Sequence, residues 1–162
     1  MKRLVADTGP VLHLHEAGAL QLLPLIGETF LPPLVVTELH SRIPALPPEW
    51  AKVQALSSTA QKRALEWRRA NLLHGGEAEA LALACEVKPD WFLTDDAAAR
   101  LMAESLSVEV HGSIGVVLWA AANKLVEKSE AETFLIGLEK SSLWMSLKVR
   151  VEARAALEKL FA

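Results

Sequence analysis

Two kinds of hydrophobic pattern alternate along the chain. Arg3 to Ala6, Thr29 to Leu31, Trp91 to Thr94 and Val108 to Val110 are short, nearly unbroken apolar runs. They are too short for helices and show no polar alternation, the pattern of strands buried on both faces. Trp50 to Leu56 predicts an edge strand. Between these runs apolar residues recur every third or fourth position, the spacing that lines one face of a helix. Helices are expected over Leu34 to Arg42, Thr59 to Ala70, Glu77 to Val87, Ala97 to Ser105, Ile114 to Leu125, Glu130 to Lys140 and Val149 to Leu160. Val11 to Ile26 reads as two short helices broken near Gly18 and Pro24, while Leu143 to Leu147 has no settled pattern. Glu77 to Val87 is apolar nearly all round, so that helix should be buried.

Short strands alternating with helices imply an α/β domain: a twisted, mainly parallel sheet with helices on both faces. The Pro-rich stretch from Pro44 to Pro48 is too short to link domains. The expected organisation is one domain over residues 1–162, with a core at about 3–126 and a C-terminal helical extension at about 127–162. In such sheets ligands bind beyond the carboxyl ends of the strands.

Composition narrows the classes. Of the 162 residues, 51% are hydrophobic, enough for a substantial core. The longest stretch free of Asp, Glu, Lys and Arg is 14 residues, Val110 to Asn123, below the roughly 18 of a membrane span. Met1-Lys2-Arg3 runs into a strand-like segment and then Asp7, unlike a cleavable leader, and the single Cys85 leaves no internal disulfide. A cytoplasmic protein without membrane attachment is expected.

The acids are unevenly split: sixteen are Glu and four are Asp, namely Asp7, Asp90, Asp95 and Asp96. Asp favours caps, turns and metal sites over helix interiors. Asp7 and the Asp95-Asp96 pair close apolar strands, so a parallel sheet sets them on one rim. Glu38 lies among Val35, Val36 and Leu39, an apolar setting for a carboxylate, and Glu77 opens the buried helix after Gly75-Gly76. Four carboxylates converging in a cleft repel one another and lose hydration unless cations join them. Carboxylates and water are the ligands that Mg²⁺ or Mn²⁺ prefers. Each acid also has a structural alternative: Asp7 or Thr8 can cap the helix near Pro10, Asp95 or Asp96 the helix at Ala97, Glu38 can be a solvated helix residue, and Glu77 or Glu79 can complement a helix dipole.

The segments "LVADTGPVLHL", "LPPLVVTEL", "LLHGGEAEALALA", "FLTDDAAARLMAESL" and "VEVHGSIGVVLWAAANKLV", in that order, resemble the PIN-domain nuclease superfamily, in a branch related to VapC-type toxin ribonucleases. The resemblance runs from Leu4 to about Leu125. It implies four catalytic, metal-binding acids at Asp7, Glu38, Glu77 and Asp95, with Asp96 as a further metal ligand or a substitute for Asp95. Thr8 and Ser113 match hydroxyl residues beside the metal. Many members carry Asp at the third position, where this chain has Glu77, and Glu79 competes for that role. The implied activity is Mg²⁺- or Mn²⁺-dependent endoribonuclease action on RNA phosphodiesters, as the toxin of a toxin–antitoxin pair. A non-catalytic PIN-like domain binding RNA or a protein is the alternative.

Net charge is −3, so any nucleic-acid surface must be local. Lys62, Arg63, Arg68 and Arg69 share a helix with Trp67, and Lys148, Arg150 and Arg154 lie near Trp144. Each group can track a phosphate backbone with Trp as a stacking face, or be a solvated helix face with Trp in the core. His74 and His111, beside the glycine turns, can touch substrate. The apolar helix from Ile114 to Ala122 is expected to offer a surface for a homodimer or an antitoxin. Cys85 reads as a small buried hydrophobe.

Overall fold

A computed structural model describes residues 1–162. Five strands, β1 (Lys2–Ala6), β2 (Gly27–Leu31), β3 (Lys52–Val53), β4 (Trp91–Leu93) and β5 (Val110–His111), form one all-parallel sheet in the order β3-β2-β1-β4-β5. Nine helices connect and follow them: α1 (Thr8–Glu16), α2 (Leu22–Ile26), α3 (Pro33–Arg42), α4 (Ser58–Arg69), α5 (Gly75–Val87), α6 (Ala97–Ser105), α7 (Ser113–Ala122), α8 (Lys128–Lys140) and α9 (Leu147–Leu160). The chain winds outward from β1 to β3, then returns to β4 on the other side of β1. Parallel crossovers are right-handed almost without exception, so winding in opposite directions from β1 sets helices on both faces, as the apolar runs implied.

Burial follows the patterns. Leu4, Val5, Ala6, Phe92 and Leu93 are fully buried, so the two central strands are covered on both sides. β3 is the predicted edge strand, reduced to two exposed residues. α5 contributes Ala78, Ala80, Leu81, Leu83 and Ala84 to the core and packs against α3, α4 and β1.

Several local expectations need correction. The break after α1 falls at Ala17–Gln21, and Pro24 lies inside α2 as its third residue. A proline is tolerated there because first-turn amides have no intrahelical partner. α5 begins at Gly75, so both glycines belong to its first turn and Glu77 is its third residue. β5 starts at Val110, because Val108 ends the turn after α6 by donating its amide to the Ala103 carbonyl at 2.9 Å. α7 has no fully exposed residue from Ser113 to Ala121, because α2, α8 and α9 pack over it; only Ala122 is exposed and Ile114, Leu118 and Trp119 are half-buried, so the partner face expected there is small. Leu135, Leu138, Ala153 and Leu157, from α8 and α9, join the same hydrophobic cluster as the sheet.

Candidate functional site

The topological switch point lies between β1 and β4. Ala6 pairs with Leu93, and the Asp7 amide donates to the Leu93 carbonyl at 3.1 Å, so Asp7 and Thr94 leave the sheet side by side. Asp7 caps α1: its Oδ1 accepts from the Gly9 amide at 3.2 Å, and its Oδ2 accepts from the Thr94 hydroxyl at 2.5 Å. The residue is only 2% exposed. Burial pushes its carboxyl well above the ordinary carboxylate range, against the lowering effect of the Thr94 hydrogen bond, and the charges of Asp95 and Glu77 push the same way.

Asp95 and Asp96 divide the two roles left open for them. Asp96 caps α6, accepting from the Ala99 amide at 2.8 Å, while its own amide donates to Thr94 Oγ1 at 3.1 Å. Asp95 faces the cleft. Its Oδ1 accepts from the Ser113 amide at 2.7 Å, and its Oδ2 accepts from the Ser113 hydroxyl at 2.5 Å and meets His13 Nδ1 at 2.8 Å. Ser113, at the first turn of α7, therefore grips Asp95 through both backbone and side chain.

Glu38 enters from α3, half-buried. Its Oε2 accepts from the Thr8 hydroxyl at 3.3 Å, and its Oε1 is buried with no hydrogen-bond partner. Gly76 makes room for it: a Cβ there would stand 2.2 Å from Oε1. Glu77 accepts from the His74 amide at 3.2 Å, and burial, with Asp96 and Glu38 adding repulsion, raises its carboxyl. Glu79, about 200° further round α5, does not reach the cleft.

Asp7, Thr8, Glu38, Glu77, Asp95 and Asp96 thus line one cleft of about 510 Å³. Ser113 reaches it through Asp95. Sequence reasoning missed five contributors, His13, Thr94, Arg42, Ser142 and Leu143, and offered Trp144 only as a stacking face beside a basic group. His13 lies on α1 within two turns of the Asp7 cap, a spacing that was available in the sequence. Thr94, immediately before the Asp pair, is fully buried and ties Asp7 to the α6 cap. Arg42 lines the cleft one turn beyond Glu38, on the same face of α3. Ser142, Leu143 and Trp144 form part of the wall from more than 40 residues beyond Asp96, and no local pattern announces that closure.

The basic groups fall differently from the readings of charge alone. Trp67 is half-buried against the core with the Arg63 guanidinium 5.0 Å above its ring, which favours the structural alternative. Arg154 is occupied by Glu139, at 2.7 and 3.0 Å. Trp144 remains 83% exposed. His74 lines the cleft, while His111 pairs with Glu109 at 2.9 Å and packs on Trp91.

The donor set suits a hard divalent cation. Its oxygens belong to carboxylates, one of them buried and unpartnered, and the neighbouring acids raise each other's cost of ionisation. No three His, Cys, Asp or Glu side chains are already gathered into a finished cage.

A doubly wound parallel sheet with an acidic crevice at its switch point defines an α/β domain of the nuclease type. The chain matches the family DUF3368, a PIN domain, over residues 3–159, and it belongs to that family. PIN domains are generally nucleases and typically bind divalent metal ions. No curated protein matches the chain significantly. No helix is long and apolar enough to cross a membrane.

Proposed function

We propose that the protein is a Mg²⁺- or Mn²⁺-dependent endoribonuclease that hydrolyses RNA phosphodiesters, and that it serves as the toxin of a toxin–antitoxin pair. The observation that carries the nuclease reading is the buried, unpartnered Glu38 Oε1 beside Asp7 in a crevice shared with Glu77 and Asp95. Asp7, Glu38 and Asp95 would hold the ion, with Glu77 and Asp96 at its outer side. Such an ion, when bound, acidifies water and neutralises charge on the phosphate.

The chain's own groups set the geometry. Thr94 and Gly9 hold the two oxygens of Asp7, Ser113 and His13 hold Asp95, and Thr8 holds one oxygen of Glu38 while the other stays unpaired. These contacts fix carboxylate directions before substrate arrives, which reduces the reorganisation needed at reaction. Arg42 adds a positive charge to the same wall, suited to a phosphate oxygen.

The test is cleavage of mixed single-stranded RNAs by the wild type and Asp7→Asn, with Mn²⁺ or with EDTA. Metal-dependent cleavage by the wild type alone is expected. Absence of cleavage with Mn²⁺, combined with unchanged RNA binding, would favour the non-catalytic RNA-binding alternative. For the toxin role, growth arrest on expression of the wild type but not of Asp7→Asn is expected, with relief by a protein encoded beside it. A cytoplasmic homodimer completes the proposal; because α7 is largely covered, its interface would use other exposed apolar residues, such as Leu147 and Val151 on α9.

A further inference from the structure

A second groove, of about 430 Å³, opens off the carboxylate cleft and shares Asp95, Leu143 and Trp144 with it. Its size falls in the range of about 300–1,000 Å³ typical of small-molecule sites. Two side chains there are chemically unspent. Arg100, on α6, forms no ion pair and its side chain donates no hydrogen bond within the protein, although the guanidinium lines the groove. Trp144 is 83% exposed.

The exposure of Trp144 is held in place. Leu143 on one side packs against the core and Met145 on the other is buried, so alternation turns the indole outward. The segment is pinned at both ends. Ser142 donates its amide and hydroxyl to Glu16 at 3.3 and 2.5 Å, and Ser146 caps α9 by accepting from the Val149 amide at 3.2 Å. Groove and cleft meet at Asp95, Leu143 and Trp144, which line both, and Gly112 lies in the groove's wall beside Asp95. A Cβ at Gly112 would stand 2.7 Å from Asp95 Oδ1 and 2.8 Å from the Arg100 guanidinium, so the missing side chain lets both groups lie close against the backbone. Its backbone, at φ −105°, would accept other residues, which makes space the reason for glycine.

We infer that this groove seats the nucleotide adjoining the scissile phosphate in single-stranded RNA, with the Trp144 indole stacked on its base and Arg100 bonded to its phosphate. The inference rests on the ribonuclease reading for the word scissile, but base and phosphate capture stand on the groove itself. An unpaired guanidinium beside an exposed indole is a phosphate handle next to a stacking platform. Continuity with the carboxylates at the shared Asp95 would place the two ends of one strand on either side of the acids, with Arg42 on the wall of the cleft and Arg100 on that of the groove. A base inside a duplex is already stacked on both faces and cannot reach a wall-mounted indole without opening, which favours a single strand.

The experiment measures binding of fluorescein-labelled eight-nucleotide oligouridylate, oligoadenylate, oligothymidylate (DNA) and an RNA hairpin to the full chain carrying Asp7→Asn, by anisotropy. Trp144→Leu, Trp144→Phe and Arg100→Gln are added singly, and RNA cleavage by the otherwise wild-type chain is assayed separately. Trp144→Leu is expected to weaken binding of the single-stranded RNAs about tenfold or more, and Trp144→Phe to recover most of it. Arg100→Gln is expected to weaken all single-stranded RNAs alike and lower the salt slope by about one ion. Melting points should be unchanged, since the Trp144 side chain is exposed.

No RNA binding by the parent, equal binding by Trp144→Leu, or equal affinity for the hairpin would overturn the inference. Equal affinity for the DNA strand would overturn RNA as its class. Cleavage with unchanged KM in Trp144→Leu and Arg100→Gln would remove the subsite and leave the nuclease reading standing. Loss of binding in Trp144→Leu, with no cleavage by the wild type, would do the reverse.

Discussion

Asp7→Asn should make the metal-free protein more stable. Asp7 is 2% exposed and faces the charges of Asp95 and Glu77, while only the Thr94 hydroxyl and the Gly9 amide compensate it. Burying a carboxylate with so little compensation costs several kcal/mol. Asparagine removes that cost but has a single acceptor oxygen: it can keep the Gly9 amide bond as a neutral acceptor, while its NH2 must turn to donate to Thr94 Oγ1, so about 1 kcal/mol is forfeited at each contact. The balance favours the variant by about 2 kcal/mol, which in a chain of 162 residues is a rise of about 6 °C in Tm.

The pH dependence has a definite sign. Folding raises the Asp7 carboxyl above its ordinary 3.8, so its contribution to stability is fully present below about that pH and is lost as pH climbs through the raised value. Glu77 is raised as well and acts in the same direction. In EDTA, the advantage of Asp7→Asn should therefore be greatest near neutrality and shrink on acidification through the window above 3.8. Mn²⁺ should reverse the order, since an ion present at about 100 times its Kd adds about 2.7 kcal/mol to whichever form binds it. Scanning calorimetry across pH, with EDTA and with Mn²⁺, reads all of this. A variant less stable than the wild type in EDTA at neutral pH, or a Mn²⁺ shift equal in both, would refute the reasoning.

Other substitutions separate the parts of the site. Gly76→Ala would gain up to about 1 kcal/mol as a helical replacement, while its Cβ would meet Glu38 Oε1 at 2.2 Å and force that flexible carboxylate aside; stability within about 1 kcal/mol of the wild type by melting, with RNA cleavage lost, is expected. Ser113→Ala removes the hydroxyl bond to Asp95 while keeping the amide bond at 2.7 Å, so cleavage should fall about tenfold with Mn²⁺ affinity weakened and the fold intact. Ser57→Ala, at the cap of α4 where the side chain accepts from the Ala60 amide at 3.1 Å, should cost about 1 kcal/mol in urea titration and leave cleavage untouched.

The parts legible in the sequence were those written locally. Apolar runs around Leu4 to Ala6 and Phe92 to Leu93 predict strands because a doubly covered sheet leaves no polar face, and Asp at their ends predicts the rim because caps and turns select it. Which member of Asp95-Asp96 caps α6 depends on the direction in which the chain leaves β4, a tertiary quantity. His13 was overlooked because a lone histidine among Val11, Leu12 and Leu14 looks like part of a helix face; only the closeness of β4 to α1 turns it toward Asp95. The wall from Ser142 to Trp144 depends on a contact with Glu16 across 126 positions, which periodicity does not encode.

Charge pairing gives the cleft its meaning. Some acids outside the cleft meet cations, Glu28 with Lys52, Glu158 with Lys128 and Glu139 with Arg154, while others such as Glu66 and Glu104 stand unpaired in water, where an isolated charge costs little. In the cleft unpaired acids are buried or half-buried, and there the cost is large. Asp7, Glu38 and Glu77 meet no Lys or Arg within ion-pair reach, and Asp95 meets only His13. Arg42 lines the same wall but pairs with none of them. A structural role for these acids would have been served by pairing Arg42 with Glu38 one turn away, as helices commonly do. The chain instead leaves a buried carboxylate oxygen unsatisfied and accepts repulsion that raises Asp7 and Glu77. On the metal-dependent reading proposed above, such costs would be offset by a positive charge from outside the chain, and the bulk net charge of −3 would then say little about affinity for a polyanion at this site.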